Sequence, residues 1–465
     1  VRAGVREALE RVSAGPVAYT RLAEELPADE RTQLARILGR VRRLLAFSVQ
    51  AGGVELVRLE HTAADSGHAP EPVAPDARVR LSKFAACRSV GDRLVLESPL
   101  SKVRVVLVHP HARRLTAELG AAQRVRDRYD DGMPAAAVDT LLAHLKGAGL
   151  IEEADASGGL PSEREPVLRQ WDFHDLLFHS RIRSGRYDGP HGALYSYRGE
   201  IDPAPAVKPV PEGAAVELYR PTWEETTKDD PALTEALEAR RSIRTYADEP
   251  LTARQLGEFL YRTARVRAHF VPGADGEDEA VSRPYPSGGR AYELELYLTV
   301  RRCDGVPAGV YYYDPVAHRL VLVNRGEQDR EAMLRVASMA TGLEAHPDVL
   351  ITVTSRFPRL SWKYRAIAYA TTLRHTGVLY QTMYLVATAM GLAPCGLGNG
   401  DADLAARVLG LEYLEEASVG DFLLGSRDPG DALPSPGEGR AAPEDDGWRM
   451  ANSPDWVLRA AQAVE

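Results

Sequence analysis

Residues 361–401 read SWKYRAIAYATTLRHTGVLYQTMYLVATAMGLAPCGLGNGD. Small and apolar residues recur at Ala366, Ala370, Leu373, Gly377, Tyr380, Tyr384, Ala387 and Gly391, in alternating steps of four and three that put one stripe on one face of a helix. The helix expected here is the longest of the chain. Its alanines and glycine leave that face open to close approach by another helix, while Leu379, Met383, Leu385, Val386 and Met390 make the other sides apolar. Such a helix belongs at the centre of a fold. Gly391 suits a left-handed helix end, and GLGNG at 396–400 reads as a loop following the helix, able to bring backbone close to a flat or charged group. Lys363 and Tyr364 stand at the helix entrance, two titratable groups side by side.

Around this helix, from about Pro231 to the C-terminus, strand-like and helix-like segments interleave, which predicts a sheet covered by helices. A helix at 230–246, with Asp230 as its cap, opens the domain, and a second follows at 251–266. PYPSGGRAY at 284–292 is a turn, 293–302 and 309–315 are strands, 330–340 is a helix, and 348–357 is a buried strand. The Pro- and Gly-rich stretch after 427 reads as an extended tail ending in a helix at 454–465.

The N-terminal third has a different texture. Residues 1–75 give two short helices, a longer one and a β-ribbon, and 76–155 give three strands followed by helices and an acidic strand; both orders are winged-helix-like. Peptide binding along a strand edge suits the second module better than DNA binding, because no dense basic recognition helix is present. Residues 156–229 form an irregular connection with Pro- and Gly-rich ends, whose middle, QWDFHDLLFHSRIRSGRYDGPHGALYSYRGE at 170–200, is too aromatic and charged for a mere tether. Residues 230–465 make the last domain.

The whole chain, 465 residues with a net charge of −9, has room for about three domains and no electrostatic bias toward nucleic acid or anionic membrane. Cys87, Cys303 and Cys395 lie far apart, giving neither a disulfide framework nor a metal motif. The longest apolar run is about half a membrane span. These features predict a cytoplasmic protein without metal, nucleic-acid or membrane partners.

Four short motifs carry chemistry. Arg240, Arg241, Ser242 and Arg244 set three guanidiniums and a hydroxyl within five residues, able to neutralise a phosphate or to remain a solvated patch at a helix end. Pro286, Ser287 and Gly288 belong to a tight turn with room for a ring against backbone, though most such sequences are only turns. Gly398 and Asn399 lie in a glycine loop that is neither a P-loop nor a dinucleotide fingerprint. Lys363 and Tyr364 can supply a general base, or be a surface lysine and a packing tyrosine. His174 and His179, five residues apart and without a third ligand, are packing residues.

In this order, RRSIR, PSGG, KY before a long Ala/Gly-rich helix and GLGNGD after it resemble the flavin-dependent nitroreductase superfamily. WDFHDLLFHSRIRSGR and GVYYYDPVAHRL are similar to its SagB-like branch, the thiazoline/oxazoline dehydrogenases of ribosomally made peptides. The resemblance covers roughly residues 170–425. It implies an α+β fold, a nitroreductase-like mixed sheet flanked by helices, dimerised through the long central helix, with winged-helix-like modules in front. It implies FMN at a homodimer interface, held by Arg240, Arg241, Ser242 and Arg244 at its phosphate and ribityl end, by Pro286, Ser287 and Gly288 at its ring, by the Gly398–Asn399 backbone near its reactive edge, and by Arg427 as a further phosphate ligand. Lys363 and Tyr364 match the catalytic pair of azoline dehydrogenases. The implied partners are an azoline-containing precursor peptide and a cyclodehydratase. Two other functions fit parts of the pattern: a general NAD(P)H-dependent nitro- or quinone reductase, and a non-catalytic peptide-binding scaffold.

Overall fold

A computed structural model describes residues 2–41, 44–51, 53–63, 68–129, 132–228, 230–270, 279–342, 346–428 and 430. The helix expected at 454–465 lies outside the described residues. The chain divides into two compact units, Val1–His191 and Gly192–Glu465. No described helix is long and apolar enough to cross a membrane.

The first unit opens with α1 (Ala3–Ala14), α2 (Tyr19–Glu24) and α3 (Ala28–Arg40), which close on a small core of Val5, Ala8, Leu22, Leu34 and Leu38. Then come β1 (Ala46–Ala51), β2 (Val54–His61), β3 (Arg78–Leu81), β4 (Ala86–Val90), β5 (Arg93–Glu97) and β6 (Val103–Leu107). They are followed by α4 (Pro110–Glu118), β7 (Gln123–Arg124), α5 (Ala135–Gly147), β8 (Ile151–Ala154), α6 (Pro166–Arg169) and α7 (Phe173–Arg181). The larger sheet runs β1-β2-β6-β5-β4 and the smaller β7-β3-β8. Because β2 pairs with β6, one sheet draws strands from both segments read as winged-helix-like modules.

The second unit contains β9 (Gly192–Ala193), β10 (Ala215–Glu217), α8 (Trp223–Lys228), α9 (Leu233–Ala239), α10 (Ala253–Ala264), β11 (Ala268–Phe270), β12 (Ala280–Ser282), β13 (Leu294–Val300) and β14 (Gly309–Asp314). It continues with β15 (Arg319–Asn324), α11 (Glu327–Thr341), β16 (Val349–Arg356), α12 (Phe357–Ser361), β17 (Tyr364–Arg365), α13 (Ala368–Ala389), β18 (Leu392–Leu397), α14 (Ala402–Leu409) and β19 (Glu416–Ser426). Seven strands form one sheet in the order β10-β15-β14-β13-β16-β19-β18. Its side chains alternate as a pleated sheet requires. Leu294, Leu296 and Leu298 of β13 join Phe259 of α10 and Leu379 of α13 on one face, whereas Tyr297 joins Met333 of α11 and Val408 of α14 on the other. The sheet is buried on both sides, and its strands read as continuous apolar runs for that reason. The sheet expected to be mixed is antiparallel at every pairing between its described strands.

The central helix is present as α13, 22 residues long and the longest among the described residues, and Gly391 follows it at φ 66°. Its buried side holds only part of the small-residue stripe. Ala370 and Ala387 of the stripe are buried together with Thr372, His375, Thr376, Leu379 and Met383, while Leu373 and Gly377 of the stripe are exposed. Threonines can occupy the buried face because Thr371 and Thr376 donate to the carbonyls of Ile367 and Thr372 one turn back, at 2.8 and 3.0 Å.

Three further expectations are corrected. The helix expected over 230–246 covers only α9, and Asp230 does not cap it but pairs with Arg262 at 2.7 Å. The chain leaves the helix at Arg240 because Ile243 donates its backbone N–H to Pro394 of β18 at 2.8 Å. GLGNG does not follow the helix directly: β18 intervenes, so the loop leaves a strand and enters α14. Pro394 is tolerated within β18 because that strand lies at the sheet edge.

Candidate functional site

The 286–292 turn is wound tightly, with Gly289, Arg290 and Tyr292 at φ 61°, 55° and 46°. Left-handed conformations at two side-chain-bearing residues cost energy and persist only where neighbours impose them. Here Ser287 Oγ accepts from Tyr292 N at 3.0 Å, and Gly288 N donates to His375 Nε2 of α13 at 2.7 Å. Since Nε2 accepts, the imidazole is neutral and carries its proton on Nδ1, which faces Glu293 Oε1 at 2.8 Å. His375 and Glu293 are both buried, and Glu293 Oε2 has no hydrogen-bond partner among the described residues.

Lys363 and Tyr364 reach the same turn from the other side. α12 ends just before them, and Tyr364 is fixed by pairing of β17 with β9, opposite Ala193. Lys363 Nζ donates to Gly289 O at 3.2 Å and stands 5.3 Å from the centre of the Tyr195 ring and 5.8 Å from that of Tyr364. A Cβ added to Gly289 would lie 2.5 Å from Tyr364 Oη and 2.8 Å from Lys363 Nζ. The positive φ favours glycine there, and the ends of the Lys363 and Tyr364 side chains lie against it, so two of the four motifs are brought together.

The basic segment is organised nine residues further along α13, at Tyr384, or about 13 Å along the helix axis from His375. Tyr384 Oη bonds Ser242 Oγ at 2.7 Å and accepts from Gly396 N at 2.7 Å, and the Arg240 guanidinium lies 5.3 Å from its ring centre. Burial pushes the neighbouring Cys395 thiol up, opposed by the Arg244 charge and by hydrogen bonds from Ser242, Arg244 and Tyr384. Ser242 and Arg244 are thus placed together beside β18.

Gly398 and Asn399 are exposed on the loop between β18 and α14, where Asn399 Oδ1 accepts from Gly400 N at 2.9 Å and Asp401 Oδ1 caps α14 through Leu404 N at 2.8 Å. Under this neutral loop lies a carboxyl from another strand. Asp421 is buried against Gly400, its Oδ1 accepts from Thr352 Oγ1 at 2.7 Å, and burial raises its pKa to about 6. Arg427 follows the end of β19 and lines a cavity of ≈ 630 Å³ with Tyr246, Asp248, Glu249 and Gln255, a lining that includes none of Arg240, Arg241, Ser242 and Arg244.

His375, Glu293, Tyr384 and Asp421 carry the geometry and were not singled out as site residues by the sequence. A signal existed for one of them: Glu293 and Glu295 interrupt an otherwise apolar strand pattern, and both are fully buried. As for a cofactor, three guanidiniums with a hydroxyl form a donor set suited to a phosphate, and the side-chain-free turn at Gly288–Gly289 gives a ring backbone to lie on. These residues fit an FMN.

Residues 79–188 match the family model described as cyanobactin oxidase ThcOx, and residues 237–425 match the nitroreductase family. Among curated relatives, the protein named "Putative nitroreductase MJ1384" of Methanocaldococcus jannaschii is 30% identical over 186 residues, 40% of this chain and 85% of that one. The microcin B17-processing protein McbC of Escherichia coli is 31% identical over 118 residues, 24% of this chain and 43% of McbC. Among solved structures, the E. coli microcin synthetase McbBCD complex with truncated pro-MccB17 bound is similar at 20% identity and a TM-score of 0.35, over 51% of this chain and 88% of that one.

Proposed function

Because the chain belongs to the nitroreductase family, we propose that it is an FMN-dependent dehydrogenase that oxidises thiazoline or oxazoline rings of a ribosomally synthesised peptide to thiazoles or oxazoles. The observation that carries this reading is the meeting of Lys363 and Tyr364 on Gly289 of the turn that would face the flavin ring. The match of 79–188 to a cyanobactin oxidase model and the relatedness to a microcin-processing protein support the same substrate class.

Aromatising an azoline removes two hydrogens, a proton from one ring carbon and a hydride from its neighbour. Bound FMN supplies the hydride acceptor, with dioxygen as the terminal oxidant. The chain supplies the rest. Arg240, Arg241, Ser242 and Arg244 would hold the phosphate and ribityl end, Pro286, Ser287 and Gly288 would support the ring, and the Gly398–Asn399 backbone would face its reactive edge. Arg427 is a further phosphate ligand in this reading. Tyr364, as a phenolate favoured by the nearby Lys363 ammonium, would take the proton at Oη and become the phenol, while Lys363 is tied to Gly289 O. The exposed Tyr369, Leu373 and Gly377 on α13 suit a homodimer contact through this helix. A cyclodehydratase that makes the azoline is the expected partner.

The test is mass spectrometry of a thiazoline peptide incubated aerobically with the FMN-loaded protein. Loss of two hydrogens per ring is the expected result. An unchanged peptide, with flavin bound and reducible by NAD(P)H, would replace this reading with a general reductase.

A further inference from the structure

The reaction as described makes no use of Asp421, a carboxyl that β19 places against the glycine loop. It stands opposite Leu397, the last residue of β18, so the loop starts from its strand partner. The loop then returns over the carboxyl: a Cβ added to Gly400 would collide with Asp421 Oδ2. Oδ1 is held elsewhere, accepting from Thr352 Oγ1 of β16 at 2.7 Å. Asp421 is 8% exposed, so any charge on it acts through a medium far less polar than water.

The backbone of Asp421 is tied to the helix that organises the site. Tyr380 Oη donates to Asp421 O at 2.8 Å, and Tyr380 lies on α13 between His375 and Tyr384, about 7.5 Å beyond the first and 6 Å before the second along the axis. Asp421 is therefore level with the middle of the site, between the turn proposed for the flavin ring and the segment proposed for its phosphate. The groups that face it are Thr352 from β16, the Tyr380 phenol from α13 on its backbone O, and Gly400 from the loop. α14 packs Ala405 and Val408 on this side of the sheet, and Asp401 is exposed and occupied in capping that helix. Among the described residues no lysine or arginine bonds to the carboxyl. Burial raises its titration to about 6, and the Thr352 hydroxyl pulls the other way.

We infer that Asp421 is a positioning residue whose charge, carried under the Gly398–Gly400 backbone, lowers the reduction potential of the bound flavin. The inference rests on the FMN reading, which sets that backbone at the reactive edge of the ring. Electron uptake adds negative charge to the ring, and a carboxylate behind the loop opposes it. A protonated carboxyl does not. The flavin is therefore harder to reduce at a pH where Asp421 is ionised and easier to reduce where it is protonated. In the proposed oxidation this sets the ease of taking a hydride from the azoline against the ease of passing electrons on to dioxygen.

The experiment measures the midpoint potential of the flavin in the FMN-loaded full chain, by reductive titration against a reference dye at pH 5, 6.5 and 8. The parent is compared with Asp421→Asn, which keeps the shape and removes the charge, and with Thr352→Val, which removes the bond that favours the carboxylate. At pH 8 the Asp421→Asn potential is expected to be the more positive by about tenfold in the reduction equilibrium, or ~30 mV for a two-electron couple. At pH 5 the two should agree. Thr352→Val should lie above the parent at pH 6.5, because its carboxyl keeps the proton to a higher pH. Equal potentials of parent and Asp421→Asn at pH 8 overturn the inference. So does a gap that is as large at pH 5, since a merely structural effect would not follow the proton, and so does a Thr352→Val potential at or below the parent's. Flavin absorbance separates these failures from that of the cofactor reading: a parent chain that retains no FMN removes that reading and the inference with it.

Discussion

Toward its N-terminal end α13 presents His375 to the 286–292 turn, and nine residues on it presents Tyr384 to the 240–244 segment. The first contact is coupled to a buried carboxylate: the half-buried Gly288 N–H, the buried imidazole and the buried Glu293 form a chain. The second is a phenol shared between a serine hydroxyl and a backbone N–H, at a half-buried sheet edge. One helix thus holds the turn proposed to face the flavin ring at one end and the residues proposed for cofactor affinity at the other. The two ends should fail differently, in turnover at the first and in flavin retention at the second.

The sharpest break is Tyr364→Phe, which removes the proposed proton acceptor and nothing that touches the basic segment. Turnover is expected to fall by about 10²- to 10⁴-fold, as for loss of a general base, with flavin content preserved; full turnover in the flavin-loaded variant would exclude Tyr364 from that role. His375→Ala comes next. It leaves Gly288 N–H and the Glu293 carboxylate without their partner, a cost of about 3 kcal/mol in urea denaturation. His375→Gln, which keeps a donor and an acceptor, should recover part of that loss and more of the turnover than His375→Ala.

Asp421 tests the floor under the glycine loop. Its carboxyl is raised by burial to about 6, so the folded state keeps the proton to a higher pH than the unfolded chain does. Stability associated with this group is therefore greatest below about pH 4, declines as the pH rises to about 6, and is level above that. Asp421→Asn is expected to be more stable than the parent at pH 8 by about 3 kcal/mol and close to it at pH 4, measured by thermal unfolding. The smallest effect belongs to the Tyr384 end. Tyr384→Phe removes two neutral hydrogen bonds and should weaken FMN binding by about tenfold, an effect that falls on affinity and little on turnover per bound flavin.

How far the residues foretold this arrangement depends on which physical signal each one carries. β13, β14 and β16, and α10, α11 and α13, were legible because their apolar patterns are long. β18 was not, because a six-residue LAPCGL with a proline and a glycine looks like the end of a helix and the start of a loop. The helix overran Ala239 in the sequence because Arg and Ala are good helix formers, and tertiary bonds such as Ile243 N to Pro394 O and Ser242 Oγ to Tyr384 Oη draw the chain away. At the site, the motif residues were visible by type, but the groups that hold them were not. His375 sits in a threonine-rich turn of a helix, and Glu293 is one carboxylate at the start of a strand; both sit on faces where polar residues are normally absent.

The seating of residues 195–206 bears on where this catalytic unit begins. Sequence relatedness to the nitroreductase family starts at 237, yet a fragment cut near that point would discard the acceptors of three side chains. Trp362 Nε1 would lose Ile201 O, Arg359 would lose Ala204 O, and Arg356 would lose the carbonyls of Pro205 and Ala206. β17 would also lose β9, the strand that sets Tyr364. A shorter family member must satisfy those donors with other chain or with water, whereas here carbonyls of residues 201–206, of which only Ala206 is buried, supply the acceptors. The heritable boundary and the folding boundary of this protein are different places, 45 residues apart by the start of the second compact unit at Gly192 and the family match at 237.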